Sequence, residues 1–141
     1  MLNLFKPLAL PPRVSVGLLL LRFIAGTAFT YHGWPKIQNP TGWMGPDASI
    51  PGVFLALAAV AEFGGGVAWI LGLLTPLASF GLACTMAVAV HFHAVVRDDP
   101  FVGKGGPSWE LAGVYFVMAL LFILSGPGKF SLDRAFFGEK S

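Results

Sequence analysis

The sequence predicts an all-α fold, a four-transmembrane-helix antiparallel bundle that forms a single domain over residues 1–141. Only 11% of the residues are charged and the mean hydropathy is +0.74, whereas soluble globular chains are roughly 25% charged. Four apolar segments fill most of the chain, and each is close to the ~20 residues that cross a ~30 Å hydrocarbon layer. They cover residues 14–33, 51–73, 76–96 and 108–125. The alternative, a soluble bundle with unusually buried helices, fits this composition poorly.

The connections between these segments carry residues typical of helix ends. Gly72 is suited to end the second helix, Thr75 to cap the third, and Pro76 to occupy the first turn of the third. Because this link is so short, it predicts an antiparallel hairpin of spans two and three. The fourth span opens after Pro107, and the loop over residues 34–50 is long enough to fold over one mouth of the bundle.

An even number of spans predicts that both termini lie on one side of the membrane. That side would carry more basic residues, namely Lys6, Arg13, Lys129, Arg134 and Lys140, than the opposite side, namely Lys36, Arg97 and Lys104. Cytoplasmic segments carry the excess of Lys and Arg. The charge bias therefore favours cytoplasmic termini.

Two charged residues lie inside the apolar segments. Arg22 is in span one and Glu62 is in span two, and counting from opposite faces places both near the midplane. A charge at that depth costs at least ~2.5–3.5 kcal/mol, so each needs a partner. The sequence therefore predicts a buried Arg22–Glu62 ion pair. Such a pair could border a working site or could only hold two helices together.

Small residues share the helix stripes of these two charges. Gly26 and Gly33 follow Arg22 on span one, and Gly65 and Gly66 follow Glu62 on span two. Small side chains let membrane helices approach closely, so these four glycines are predicted helix-packing positions. They also leave space beside the charges for a ligand or water.

Further titratable residues are predicted to gather at the mouth opposite the termini. His32, Lys36, His91 and Glu110 are candidates for a polar cavity there. His93 is two positions from His91, so the two rings point about 200° apart on a helix, and we expect His91 inside and His93 near the interface. Glu110 also suits a first helical turn without any function, because it complements the helix dipole.

Several classes of function are disfavoured. The net charge of +2 is small and scattered, which gives no nucleic-acid footprint. Cys84 is the single cysteine, so neither an intrachain disulfide nor a cysteine-rich metal site forms. The histidines lack the i, i+4 spacing of a helical metal site. The sequence holds no recognisable nucleophile–base pair, phosphate loop or dinucleotide fingerprint, so no catalytic residue is assigned.

The order of short motifs from about Val16 to Asp133 resembles the DoxX family of small four-helix membrane proteins. After the arginine of span one come GWPK, EFGGG and GLLTPLA, then the histidine-bearing third span, GGPSWEL with Tyr115, and GPGKFSLD. The charged positions that the resemblance singles out are Arg22, Lys36, Glu62, His91 and Glu110.

The resemblance implies a bacterial inner-membrane protein that crosses the membrane several times. DoxX members are linked to quinone oxidoreductases and to redox-defence complexes, which implies a quinone ligand and a second redox protein as partner. Two functions stay open: a quinone-linked redox subunit with a polar site inside the bundle, and a non-enzymatic membrane scaffold or small-solute carrier. A homo-oligomer is compatible with either. With one cysteine, the chain is not expected to perform dithiol chemistry.

Overall fold

The computed structural model describes residues 4–48 and 50–140, and all the regular elements in these ranges are helical. Three of them are long and apolar enough to cross a membrane, namely Pro12–Gln38, Gly52–Leu71 and Thr75–Val96, and Glu110–Ser125 is a shorter apolar helix. The all-α prediction is thus confirmed. The elements are α1 (Pro12–Gln38), α2 (Gly52–Leu71), α3 (Thr75–His91), the π-helical turn Phe92–Val96, α4 (Glu110–Ser125) and α5 (Leu132–Phe137).

Helix α1 is longer than the first apolar segment. It continues past Gly33 through Pro35 to Gln38, adding more than one turn beyond the predicted boundary. Pro35 lies close to the C-terminal end of α1, and although proline has no N–H to donate to the carbonyl of Tyr31, the helix continues through it. The extension carries Lys36 along the side of α2.

Helices α2 and α3 form the predicted antiparallel hairpin. Gly72 ends α2 with a left-handed φ of +64°, and its N–H donates to the carbonyls of Ala68 and Trp69. The capping prediction for Thr75 is wrong, because no side chain of the hairpin caps α3. The carboxylate of Asp133 does so instead, accepting from Leu74 N at 2.6 Å and from Thr75 N at 2.8 Å.

The contact between α1 and α2 depends on glycine. A methyl group added at Gly66 would lie 2.6 Å from Thr30 N and 2.7 Å from Gly26 O, so the two backbones touch here. The same addition at Gly33 would collide with the backbone of Phe63. These contacts set the register of α1 against α2, because no bulkier side chain fits between the helices.

Aromatic side chains fill the centre of the bundle. Trp69 meets Phe29 from α1 at a centroid distance of 5.5 Å and Phe122 from α4 at 4.8 Å, and Phe29 lies 4.7 Å from Tyr115. Trp69 is fully buried and donates its indole N–H to Ser79 Oγ at 2.9 Å. The dense contacts of these rings hold the helices together by dispersion. The centre therefore contains a packed core in place of the predicted polar site.

The two ends of the described chain meet at one end of the bundle. Lys140 N donates to Pro7 O at 2.9 Å, and the rings of Phe5 and Phe137 lie 5.3 Å apart. The mouth formed by the C-terminal end of α1, the π-helical turn and the start of α4 lies at the opposite end. We call it the loop end below.

Candidate functional site

The predicted ion pair between Arg22 and Glu62 is wrong. Arg22 donates Nη1 to Trp69 O at 3.3 Å and Nη2 to Phe130 O. Glu62 is paired with Lys36, whose Nζ lies 2.7 Å from both carboxylate oxygens. Each charge thus finds a different partner from the one that the sequence suggested.

Helix register explains the error. The contact of Gly26 with Gly66 places the Arg22 guanidinium against Gly72, at the end of α2. Glu62 lies ten residues earlier on α2, which is about 15 Å along the axis at 1.5 Å per residue. The two charges therefore lie at different depths, even though counting from the predicted span ends made their depths equal.

Arg22 belongs to an anchor that joins the C-terminal segment to the α2–α3 turn. Asp133 is fully buried, its N–H donates to Gly72 O at 2.8 Å, and its negative charge acts on the guanidinium of Arg22. Sequence reasoning missed Asp133. The signal was available, because Asp133 and Glu139 are the acidic residues at the end that carries the termini.

A large apolar groove runs along the outer face of the α2–α3 hairpin. It has a volume of about 840 Å³ and is lined by α2 from Phe54 to Ala68 and by α3 and its π-helical turn from Leu77 to His93. Its walls carry exposed apolar side chains, so in a bilayer it opens sideways to the lipid tails. Trp43 from the loop after α1 borders its loop end.

The Lys36–Glu62 pair forms the polar part of this groove. The Glu62 side chain is only 5% exposed, whereas Lys36 keeps 23% of its side chain exposed. The ring of Trp43 lies 4.3 Å from Lys36 Nζ and its Nε1 donates to Leu55 O at 3.0 Å, which ties the loop to α2. The motifs GWPK and EFGGG therefore meet at a single charged site.

The three glycines after Glu62 have three different surroundings. Gly66 contacts the backbone of α1, and a methyl group on Gly65 would lie 3.0 Å from the side chain of Leu82 on α3. A methyl group on Gly64 would have nothing within 4 Å, because this residue faces the open groove. The run thus lets α2 approach two helices while keeping the groove beside Glu62 wide.

The predicted polar cavity of His32, Lys36, His91 and Glu110 is not assembled. Lys36 lines the groove, whereas the other three side chains are exposed and do not. His93 lines the groove in place of His91, which reverses the prediction for these two histidines. Helix α3 is apolar on all sides, as a helix that borders lipid can be, so its pattern does not reveal which face is buried. The buried face consists of Thr75, Pro76, Ser79, Leu82, Ala83 and Met86.

His93 is held by a carboxylate at the loop end of the groove. Its Nδ1 lies 2.7 Å from Asp99 Oδ2, and Arg97 Nε lies 3.3 Å from the same oxygen. Asp99 N also donates to His93 O at 2.8 Å. His93 is part of the π-helical turn, an irregularity that is often found at functional sites.

Few polar side chains line the groove. Within the ranges that the structure describes, no three His, Cys, Asp or Glu side chains are grouped as metal ligands would be. Cys84 and Thr85 line the α3 wall, and the Thr85 hydroxyl is satisfied by Gly81 O at 3.0 Å. Lys36 and His93 are therefore the groove's candidates for hydrogen bonds to a ligand.

Comparison with known proteins assigns the chain to a family. The sequence profile of the DoxX family matches residues 17–95, which is more than half of the chain. The chain belongs to the DoxX family. This DoxX protein is a membrane protein, in agreement with its three membrane-length helices.

Relatives of similar length support the assignment. An uncharacterized protein of Haemophilus influenzae is 35% identical over 124 residues, covering 85% of this chain and 90% of the relative. Inner membrane protein YqjF of Escherichia coli is 31% identical over 126 residues, covering 85% and 92%. Uncharacterized membrane protein Rv3486 of Mycobacterium tuberculosis is 32% identical over 138 residues, covering 88% and 81%. No solved structure matches the chain.

The region that matches the family profile contains the groove. It includes α1 from residue 17 onward, α2 and α3, and with them Arg22, Lys36, Glu62 and His93. It ends before α4 and before Asp133.

Proposed function

We propose that this DoxX protein is a quinone-binding redox subunit of the bacterial inner membrane. The quinone lies in the groove on the α2–α3 hairpin, with its head beside Lys36 and Glu62 and its tail along the apolar walls. The location follows from the similarity to inner membrane protein YqjF. In this proposal α4, with 16 residues or about 24 Å, also crosses the membrane, and the basic end with both termini faces the cytoplasm.

The observation that carries the proposal is a charged pair in the wall of a groove that opens to lipid. Charges inside the membrane are costly, and they commonly mark ligand or ion pathways. If the pair only joined α1 to α2, apolar residues of similar size would hold the two helices together equally well or better. Lys36 instead keeps part of its side chain exposed in the groove.

The chemistry of the pair favours a neutral head group with carbonyl oxygens. A lysine ammonium has three N–H donors, and the two oxygens of Glu62 occupy two of them. The third remains for an acceptor on a ligand. An anionic head group is disfavoured, because Glu62 already neutralises the charge of Lys36. The flat face of Trp43 beside Lys36 suits a ring.

A quinone combines these properties, since it has two carbonyl acceptors on a flat ring and a long apolar tail. The groove supplies a binding place, and we assign the delivery of electrons to a partner redox protein. The groups that could hold an electron carrier are few, because the chain has one cysteine and no metal-ligand grouping in its described part.

A second candidate function is a membrane scaffold for a soluble redox protein. It is favoured by the basic end that carries the termini, where Lys6, Arg13, Lys129 and Lys140 outnumber the acidic side chains. Such a surface attracts an acidic partner by long-range electrostatics. A carrier that passes a solute through the bundle is disfavoured, because aromatic side chains fill the centre.

The test is mass spectrometry of small molecules extracted from the protein after mild purification. We expect quinone in stoichiometric amount from the wild type, and its loss from Lys36→Met and Glu62→Gln variants that remain folded. Lys104→Met is the matched control, since Lys104 is an exposed lysine away from the groove. A wild-type protein without quinone, or quinone retained equally by all variants, contradicts the proposal and favours the scaffold.

A further inference from the structure

The groove contains a second polar position, distinct from the Lys36–Glu62 pair. His93 lines the loop end of the groove, half-buried and packed at 5.7 Å against the ring of Phe92. Helix α2 meets α3 where Gly65 touches Leu82 and Ala61 approaches Gly81. Glu62 is therefore level with about Gly81–Leu82, eleven or twelve residues before His93.

The two positions lie at different depths in the groove. Eleven residues of helix separate their backbones by about 16 Å along the axis, and the hydrogen bonds of Lys36 and of His93 go to different carboxylates, Glu62 and Asp99. The groove thus offers two stations, or positions for a polar head group, one at Lys36 and one at His93.

The two stations differ in hydrogen-bond chemistry. Lys36 has only donors, so it matches a carbonyl oxygen. At His93, an ionised carboxylate accepts at Nδ1, so Nδ1 carries the proton and, in the neutral ring, Nε2 presents a lone pair. A neutral His93 ring oriented by Asp99 is thus an acceptor at Nε2, which matches a hydroxyl group.

We propose that His93, oriented by Asp99, selects the reduced, hydroxyl-bearing form of the ligand at the loop end of the groove. The inference rests on the proposed quinone binding and adds a station for the quinol. The carbonyl form binds at Lys36 and the hydroxyl form donates to Nε2 of His93. The groove thereby separates the two redox forms by depth, with the quinol nearer the membrane surface.

The charges around His93 are consistent with this role. Asp99 and Arg97 lie on its own segment, and Arg97 shares the Asp99 oxygen that His93 contacts. The charged groups that other helices bring to the same groove are Lys36 and Glu62, which neutralise each other. Asp99 is therefore the charge that sets the proton position on the ring.

The experiment measures three affinities in lipid nanodiscs without oxygen, at mildly alkaline pH. The probes are a fully substituted decyl-tailed benzoquinone, its hydroquinone, and the dimethyl ether of that hydroquinone. In the wild type we expect the hydroquinone to bind about three- to tenfold more tightly than its dimethyl ether, the range of one hydrogen bond.

The variants separate the two stations. We expect His93→Phe to remove the preference for hydroquinone while leaving quinone affinity unchanged. We expect Lys36→Met to weaken the binding of the quinone. His93→Gln retains an acceptor oxygen, so it should restore part of the preference that His93→Phe loses. Asp99→Asn should reduce the preference, because an amide no longer requires the proton on Nδ1.

Equal binding of hydroquinone and dimethyl ether by the wild type overturns this inference, as does a His93→Phe variant that retains the preference. If the quinone still binds and depends on Lys36 in that case, the proposed function stands without a second station. If none of the three probes binds the wild type, the proposed function fails together with this inference.

Discussion

Replacing Gly66 by Ala tests whether backbone contact between α1 and α2 sets the register of the site. The added methyl group would lie 2.6 Å from Thr30 N and 2.7 Å from Gly26 O. These neighbours are backbone atoms, so the clash is relieved only if the helices separate by roughly 1 Å, from 2.6 Å to ordinary van der Waals contact at 3.4–4 Å. Overpacking of this kind costs about 1–3 kcal/mol, and the helix propensity of Ala returns at most about 1 kcal/mol.

The neighbouring Gly64 provides the matched control. A methyl group there meets nothing within 4 Å, so Gly64→Ala should leave stability unchanged or raise it by up to about 1 kcal/mol. The two variants make the same chemical change two residues apart, and they differ in their surroundings alone.

The assay is reversible unfolding in mixed micelles of mild detergent and sodium dodecyl sulfate, followed by circular dichroism. We expect the Gly66→Ala midpoint to fall below that of the wild type and the Gly64→Ala midpoint to stay equal or rise. Equal midpoints for the two variants would refute the argument, because the predicted difference comes entirely from the contact with α1.

Three further predictions concern the polar groups. Glu62→Leu should destabilise the protein by about 3 kcal/mol or somewhat less, because it leaves Lys36 charged and unpaired. Adding Lys36→Met should recover most of the lost stability. If the effects of the two substitutions are simply additive in the same unfolding assay, the pairing is contradicted. Asp133→Ala should cost about 1–3 kcal/mol through the lost cap of α3 and the lost partner of Arg22. It should also speed tryptic cleavage of the C-terminal segment, and unchanged cleavage argues against the anchor. Cys84, which is exposed in the groove, should react with a lipophilic maleimide, and the decyl-tailed quinone should slow the reaction in the wild type but not in Lys36→Met. Labelling that the quinone does not affect is evidence against a ligand beside the pair.

The sequence was informative wherever the constraint is local. The low charge content indicated a membrane setting. The apolar segments located the helices to within about a turn, and α1 alone ends well past its segment, at Gln38. Apolar length is informative because backbone groups in lipid must be paired within helices. Gly72 predicted the α2–α3 turn through its conformational freedom. Gly65 and Gly66 indicated close helix contacts, and they lie at such contacts with α3 and α1, respectively.

The identity of the charged pair required the tertiary structure. Glu62 pairs with Lys36 because α1 continues beyond its apolar segment and because Gly26 and Gly66 set the register. Counting residues from the span ends reveals neither the extension of α1 nor the register between the helices. Two charges in neighbouring spans therefore looked like partners although about 15 Å of helix separates them.

The sequence by itself determined the membrane setting, the helical class and the set of family motifs. The tertiary structure alone decided that the groove lies along α2 and α3, that His93 lines it in place of His91, and that Asp133 caps α3 from 58 residues away. The physical reason is that lipid accepts apolar side chains on every face of a helix. Without the contrast between core and solvent, hydrophobic pattern cannot indicate which side of a helix is buried, and only packing between helices selects it.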